Sequence, residues 1–358
     1  MKSILFLDMH REGRSPSQRF RYEQYLPLLS KNGFRVHHSF LLNENDDKIF
    51  YSQGKYLGKA WLLLKSIAKR WNDVARAGKY DFIFIQREAF MLGTTFFETL
   101  LSRSKAKIIF DFDDSIWLPQ VSSTSPNKKL NFLKNPGKTA RIISLADCVV
   151  AGNQYLADYA LQFNPSVKII PTTINTELYS PKPKESNKII TIGWSGSKTT
   201  IDHFKEALPA LEVIKNKYGN RVAIDVIGDN QYRNEKLGIT GKAWSLANEI
   251  NDLLTFDIGI MPLPDDEWSK GKCGLKGLQY MALEIPTLMS PIGVNKEIIQ
   301  HGKNGFLCTS TEEWVKYLSL LIEDSELRAQ TGTAGRQTVL ERYSVNANAS
   351  LFLLLFEL

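Results

Sequence analysis

Short apolar runs alternate along this chain with longer stretches of mixed polarity, and that rhythm predicts most of its elements. Apolar or β-branched runs at Ile4–Leu7, Phe34–Ser39, Phe82–Ile85, Lys107–Phe112, Cys148–Ala151 and Val167–Ile170 read as strands. Between the first two, Gln18 to Leu29 predicts a helix that Gly33 is placed to stop. The stretch from Pro171 to Asn187 carries Pro171, Pro181 and Pro183 among polar neighbours and reads as a linker. The alternation then restarts, with strands expected at Ile189–Trp194, Val222–Ile227, Ile258–Met261, Thr287–Met289 and Phe306–Cys308. Helices fall between them at Asp202–Tyr218, Leu275–Leu283 and Glu312–Leu321, with a terminal one after Asn346. Pro209, inside the first of these, predicts a kink. Such alternation is the mark of parallel α/β domains. It divides the chain into residues 1–180, residues 181–340, and a terminal helix at 341–358 expected to pack back toward the first domain. Two successive α/β units imply a cleft between them as the ligand site.

Composition narrows the class. The 358 residues suffice for two cores, and 43% hydrophobic with 23% charged residues excludes long-range disorder. Cys148, Cys273 and Cys308 lie far apart with no C-x-x-C pair, which argues against disulfides and structural zinc and points to a reduced cytosol. Met1-Lys2 runs directly into a strand, so no leader is expected. The apolar run Leu351–Phe356 is far short of the ~20 residues that span a bilayer. Residues 1–180 hold 25 Lys and Arg against 16 Asp and Glu, whereas the remainder holds 20 against 22. A basic first half suits an acidic membrane surface or a phosphate-bearing substrate, and no nucleic-acid recognition motif accompanies it.

One helical stripe sharpens that choice. Leu57, Trp61, Leu64, Ala68, Trp71 and Ala75 recur at spacings of four and three, amid Lys55, Lys59, Lys65, Lys69, Arg70, Arg76 and Lys79. The stripe either packs against its own domain or rests, through residues 55–79, on an anionic membrane.

Candidate chemistry gathers at three loops. In the second half, the strand ending at Met261 feeds Pro262 to Gly274 and then a helix whose first turn carries Lys276. Free N–H groups and the positive end of a helix favour phosphate there, and Lys272 and Lys276 can both reach a diphosphate. A solvated loop with incidental lysines fits the spacing as well. Gly196-Ser197-Lys198-Thr199-Thr200 follows another strand and opens a helix, with Thr199 or Thr200 as N-cap. In the first half, Asp111, Asp113 and Asp114 close a strand, while Arg19 and Arg21 follow the first strand and suit phosphate recognition.

The stretch Trp244 to Leu307 resembles the donor-binding region of glycosyltransferase family 4, the group 1 glycosyltransferases. The resemblance is carried by Gly274-Leu275, Met281-Ala282, Ile285-Pro286, Gly293 to Glu297 and His301-Gly302-Lys303-Asn304-Gly305-Phe306, with weaker echoes at Gly193–Gly196, Ile227–Asp229 and Asn175–Tyr179. It implies the α/β GT-B fold, two facing Rossmann-like domains with parallel sheets and an interdomain cleft. It further implies a cytoplasmic, metal-independent, retaining hexosyltransferase acting in cell-surface polysaccharide biosynthesis. The donor is a UDP- or GDP-sugar serving as co-substrate, no cofactor is required, and the acceptor is a glycan or lipid-linked saccharide. Donor contacts fall to Gly196, Ser197, Lys198, Lys272, Gly274, Leu275, Lys276, Gln279 and Glu297, and Lys276 joins Asp113 and Asp114 as the catalytic set. Arg19 and Arg21 are left for acceptor or phosphate. The family has two glutamates eight positions apart where this chain has Gly271 and Gln279. Gln279 retains hydrogen-bonding capacity for a ribose hydroxyl through its carbonyl or its amide group, but Gly271 has no side chain, so the usual sugar contact is either missing or supplied by Asp265, Asp266 or Lys272. A sugar-nucleotide isomerase or hydrolase, or a lapsed nucleotide-sugar-binding protein, are the alternatives.

Overall fold

The computed structural model describes residues 1–119, 127–183 and 189–357. It divides into two units, Met1–Thr172 with Asn348–Leu358, and Thr173–Ala347. In the first, β1 (Ser3–His10), β2 (Arg35–Leu42), β3 (Phe82–Gln86), β4 (Lys107–Phe112), β5 (Cys148–Ala151) and β6 (Val167–Ile169) form one parallel sheet in the order β2-β1-β3-β4-β5-β6. All six apolar runs are strands. β3 is buried along its whole length, as a strand covered on both faces must be. Phe6 sits in register with His38 on β2 and Phe84 on β3 and packs on both rings.

The second unit contains β7 (Ile190–Ser195), β8 (Val222–Ile227), a small antiparallel hairpin of β9 (Arg233–Asn234) and β10 (Ile239–Thr240), then β11 (Ile258–Met261), β12 (Thr287–Met289) and β13 (Phe306–Leu307). Its parallel sheet runs β13-β12-β11-β7-β8. Ile192, Trp194, Phe204, Ile258, Leu288, Trp314 and Leu318 build the core on one side of it. Both units are Rossmann-like, and in each the strand order reverses beside the first strand. These reversals, between β1 and β3 and between β7 and β11, are where loops diverge and ligands bind in open α/β sheets.

Three expectations need correction. The single helix over Gln18 to Leu29 is instead Pro16–Arg19, a 3-10 turn at Glu23–Tyr25, and Leu26–Lys31. Pro27 has no N–H and its ring opposes the carbonyl four residues back, so a helix can begin but not continue there. Pro209 does the same. It stands at the start of Leu208–Tyr218, after the separate turns Ile201–Phe204 and Lys205–Ala207, so it opens a helix rather than kinking one. The first unit ends at Thr172 rather than at residue 180, because the next residues bind the second unit. Ile174 bridges to Ser344, and Arg336 Nη1 donates to the carbonyl of Tyr179 at 2.9 Å. Part of the expected linker, residues 184–188, lies outside the described residues.

The helix Ser325–Thr338 has no apolar stripe. It packs through Thr331, Gly332 and Gly335, and a Cβ on Gly332 would lie 2.1 Å from the carbonyl oxygen of Glu284. The last helix, Val345–Leu353, carries the chain into the first unit. There Phe352 stacks on Tyr25 with centroids 4.2 Å apart, and Lys2 Nζ donates to the carbonyl of Phe356 at 2.8 Å.

Candidate functional site

β7 delivers Gly196–Thr200 to the reversal point of the second sheet. The loop is pressed tightly onto its surroundings. Gly196 N–H donates to Ile227 O at 2.9 Å, and a Cβ at Gly196 would lie 2.1 Å from the Trp194 ring. Gly228, at φ +119°, lets the end of β8 pass so close that its own Cβ would meet Gly196 O at 2.1 Å. Within the loop, Ser197 N–H donates to Thr200 Oγ1 at 3.0 Å, so Thr200 braces the turn rather than capping the helix with its side chain. Lys198 reaches along the exposed rim to Gln231 Oε1 at 2.6 Å.

β11 delivers the second loop. Asp266 caps the short helix Glu267–Lys270 by accepting the Ser269 N–H at 2.7 Å, which commits one of the candidates for the missing sugar contact. Gly274 then turns the chain at φ +72° into Leu275–Ala282, where a Cβ would lie 2.3 Å from Ile298 Cδ1. Only glycine combines that φ with that clearance. Lys272 lies over the Trp268 ring (5.3 Å to the centroid) and Lys276 over the ring of fully buried Trp194 (4.8 Å). Both lysines bear on His203, a residue that sequence reasoning missed because it sits in no motif. Burial, then Lys276 and Lys272, push the His203 pKa down to about 4, and its Nδ1 is buried with no hydrogen-bond partner. Neutral at physiological pH, this imidazole reports the positive field of the two lysines. Lys276→Met is expected to raise the His203 pKa toward the ordinary value near 6.5, read by NMR titration of the histidine ring protons. An unchanged titration would show that Lys276 does not reach the imidazole.

Two other expected donor contacts sit differently. Gln279 is 4% exposed and its Nε2 donates to Tyr179 OH at 3.1 Å. Tyr179 OH in turn donates to Glu249 Oε2 at 2.5 Å, and Trp244 Nε1 donates to Glu249 Oε1 at 2.9 Å. Gln279 is therefore a member of a buried polar network, with one of its amide N–H groups engaged by Tyr179. Glu297 is exposed on the short helix Asn295–Ile298, where its backbone carbonyl accepts from Arg342. Gly196 and Ser197 follow β7, and Gly274 and Leu275 end the loop that follows β11 and open the helix Leu275–Ala282.

In the first unit the reversal point is arginine-rich. Arg87, just past β3, adopts φ +63°, a strained conformation for a side chain of its size. From there it donates through Nε to Asp113 Oδ1 at 2.8 Å and through Nη2 to Asp114 Oδ2 at 3.1 Å. Burial alone would raise the Asp113 pKa, but Arg87 first and Arg21 next hold it below its ordinary value. Asp113 is thus a fixed anion. Arg21 is not a ligand-facing cation: it is 2% exposed, and its Nη2 contacts Asp111 Oδ1 at 2.5 Å. Arg19 is half-buried with its guanidinium over the Phe20 ring. Sequence reasoning also missed Asp47, where Arg11, Arg14 and His10 converge from the end of β1.

Residues 257–338 match the family model described as Glycosyl transferases group 1. Among solved structures, sucrose-phosphate synthase from Thermosynechococcus elongatus superposes with a TM-score of 0.71 at 13% identity, covering 100% of this chain and 98% of its own. HepE of Anabaena, in complex with UDP and glucose, gives 0.67 at 16% identity over 100% of both chains. A glycosyltransferase from Rickettsia africae gives 0.62 at 13% identity, over 99% of this chain and 98% of its own. Among curated proteins none matches. The fold is GT-B, that of glycosyltransferases built from two Rossmann-like units. Lys272 and Lys276 both lie within residues 257–338, the segment that matches the group 1 model.

Proposed function

We propose that this protein is a retaining glycosyltransferase that moves a hexose-like sugar from a nucleoside-diphosphate sugar to a glycan or lipid-linked acceptor in the cytoplasm. The observation that carries the reading is the placement of Lys272 and Lys276 at the β7/β11 reversal, on the loop and first helical turn of the family-matched segment. As the donor's anomeric bond breaks, negative charge grows on the departing diphosphate. Prepositioned ammonium groups and the N–H groups opening Leu275–Ala282 stabilise that charge without a divalent ion. Lys198 extends the cationic edge along the rim. The UDP held by HepE favours a uridine donor over a guanosine one. In the first unit Asp113, held ionised by Arg87, orients the acceptor hydroxyl by accepting its hydrogen bond.

A thermal-shift panel of nucleotides and nucleotide sugars tests the proposal. A ligand at about 100 times its dissociation constant stabilises by about 2.7 kcal/mol, a shift of several degrees. UDP and at least one UDP-sugar are expected to raise Tm, and a panel with no shift from any nucleotide would sink the reading. Bound diphosphate offsets the charge of the two lysines, so binding should also raise the His203 pKa from its value of about 4, although burial still holds it down.

A further inference from the structure

The helix Tyr56–Arg76 is folded with its polar side inward. Its buried residues are Leu62, Ser66, Arg70 and Asp73. Arg70 is fully buried and donates to the carbonyls of Asp8 (2.8 Å), Ser39 (2.9 Å) and Ala89 (2.5 Å) and to the Asp73 carboxylate (2.8 Å). That hub fixes the rotation of the helix, because turning it outward would strand buried acceptors and an anion. The apolar stripe is consequently displayed: Leu57 is 90% exposed, Trp61 68%, Leu64 58% and Trp71 49%. Trp71 meets Phe96 edge-on at 5.6 Å, and Phe96 is itself 47% exposed, so the apolar surface continues onto the neighbouring helix Phe96–Leu101. The stripe does not pack against its own domain. Leu57 to Trp71 alone covers about 21 Å of helix, and contiguous apolar surface of this kind marks a contact site.

Charge selects the occupant. The only acidic residue of the helix, Asp73, is buried against Arg70, so its exposed side carries no negative charge. Lys55, Arg76 and Lys79 are exposed on or beside it, and Lys65, also exposed, pairs with Asp46 at 2.5 Å, at the edge of a first half with 25 basic against 16 acidic residues. A second copy of the chain laid on this face would bring like charges together, whereas an anionic lipid surface offers apolar depth and opposite charge at once. Among the described residues no helix is long and apolar enough to cross a membrane. We propose that the Tyr56–Arg76 helix lies in the plane of an anionic lipid surface, with Leu57, Trp61, Leu64 and Trp71 in the headgroup–acyl boundary and the flanking lysines on lipid phosphates. This goes beyond the transferase reading and holds whichever nucleotide the second unit takes.

Sedimentation of the full chain with vesicles tests it. The protein should pellet with equal parts phosphatidylcholine and phosphatidylglycerol, stay in solution with phosphatidylcholine alone, and be released by high salt. The double variant Trp61→Glu with Leu64→Glu should lose at least about tenfold in partitioning, and Lys55→Glu with Arg76→Glu should lose a comparable amount. All four positions are exposed, so Tm and the nucleotide-induced shift should be unchanged. That shift, read on the same samples, separates failure here from failure of the transferase reading. Absence of binding to the mixed vesicles, or binding indifferent to both double variants, would overturn the proposal. So would a concentration-dependent dimer in sedimentation velocity that Trp61→Glu abolishes while vesicles are ignored.

Discussion

Lys276→Ala is expected to lower the transfer rate by about two to three orders of magnitude, equivalent to about 3–4 kcal/mol of transition-state stabilisation, with the fold intact. The size follows from position. Lys276 stands in the first turn of Leu275–Ala282, its ammonium 4.8 Å from the centroid of a ring that no water reaches. A cation held against an apolar wall is attracted by the indole face and is less shielded than one in bulk water. The structural loss on truncation is small by comparison, about 0.5–1 kcal/mol for the contact with Trp194. Lys276→Met separates the two effects. It keeps the aliphatic stem over the indole while removing the charge, so its melting temperature should match the parent and its kcat should match Lys276→Ala. Steady-state kinetics and calorimetry on both variants decide the matter, and turnover preserved in Lys276→Met would remove the lysine from the chemistry.

The strands of both sheets were legible because hydrophobic runs buried on both faces leave a direct trace in the sequence. The second loop was legible for another reason: the chain from Met261 through Lys276 has the composition of a strand end, a polar turn and a helix start in succession. Where side chains act by filling or refusing space, the trace fades. Ser325–Thr338 packs through Thr331, Gly332 and Gly335, which no hydrophobic periodicity registers. His203 lies on the turn Ile201–Phe204 just after the β7 loop, and only the fold brings Lys272 and Lys276 to it from the loop after β11. Gln279 shows a different limit: its motif suggested a ligand contact, and only the fold shows that Tyr179, a hundred residues earlier in the chain, accepts from its amide. The helix Tyr56–Arg76 was legible as a helix and as amphipathic. Which face turns inward depends on Arg70 finding the carbonyls of Asp8, Ser39 and Ala89, and those lie on three separate segments.

Arg21→Ala is expected to destabilise the first unit by about 3–5 kcal/mol, a large part of the roughly 5–15 kcal/mol that holds a domain folded. Arg21 and Asp111 are 2% and 1% exposed, and the guanidinium meets the carboxylate through Nη2 at 2.5 Å and Nε at 3.2 Å. Removing the arginine leaves a carboxylate that water cannot reach. Burial already pushes the Asp111 pKa up, against the pull of Arg21 first and Arg87 last. Without Arg21 it must rise further. A carboxyl whose pKa is higher folded than unfolded binds more protons in the native state, so its stabilising contribution is present at low pH and is lost as pH rises through the folded pKa. Arg21→Ala should therefore lose the most against the parent at alkaline pH and least near pH 4, by urea denaturation followed across that range. Adding Asp111→Asn should recover much of the loss, since a neutral amide costs far less to bury than an unpaired anion. The same substitution reaches the candidate site, because Arg21 also helps hold Asp113 ionised. In the double variant the loss of Arg21 raises the Asp113 pKa while the loss of the repelling Asp111 charge offsets part of that rise, so a smaller upward shift is expected in the acidic limb of any pH–rate profile. A profile identical to the parent's would mean that Arg21 and Asp111 act on Asp113 as a neutral pair, leaving Arg87 to set its charge.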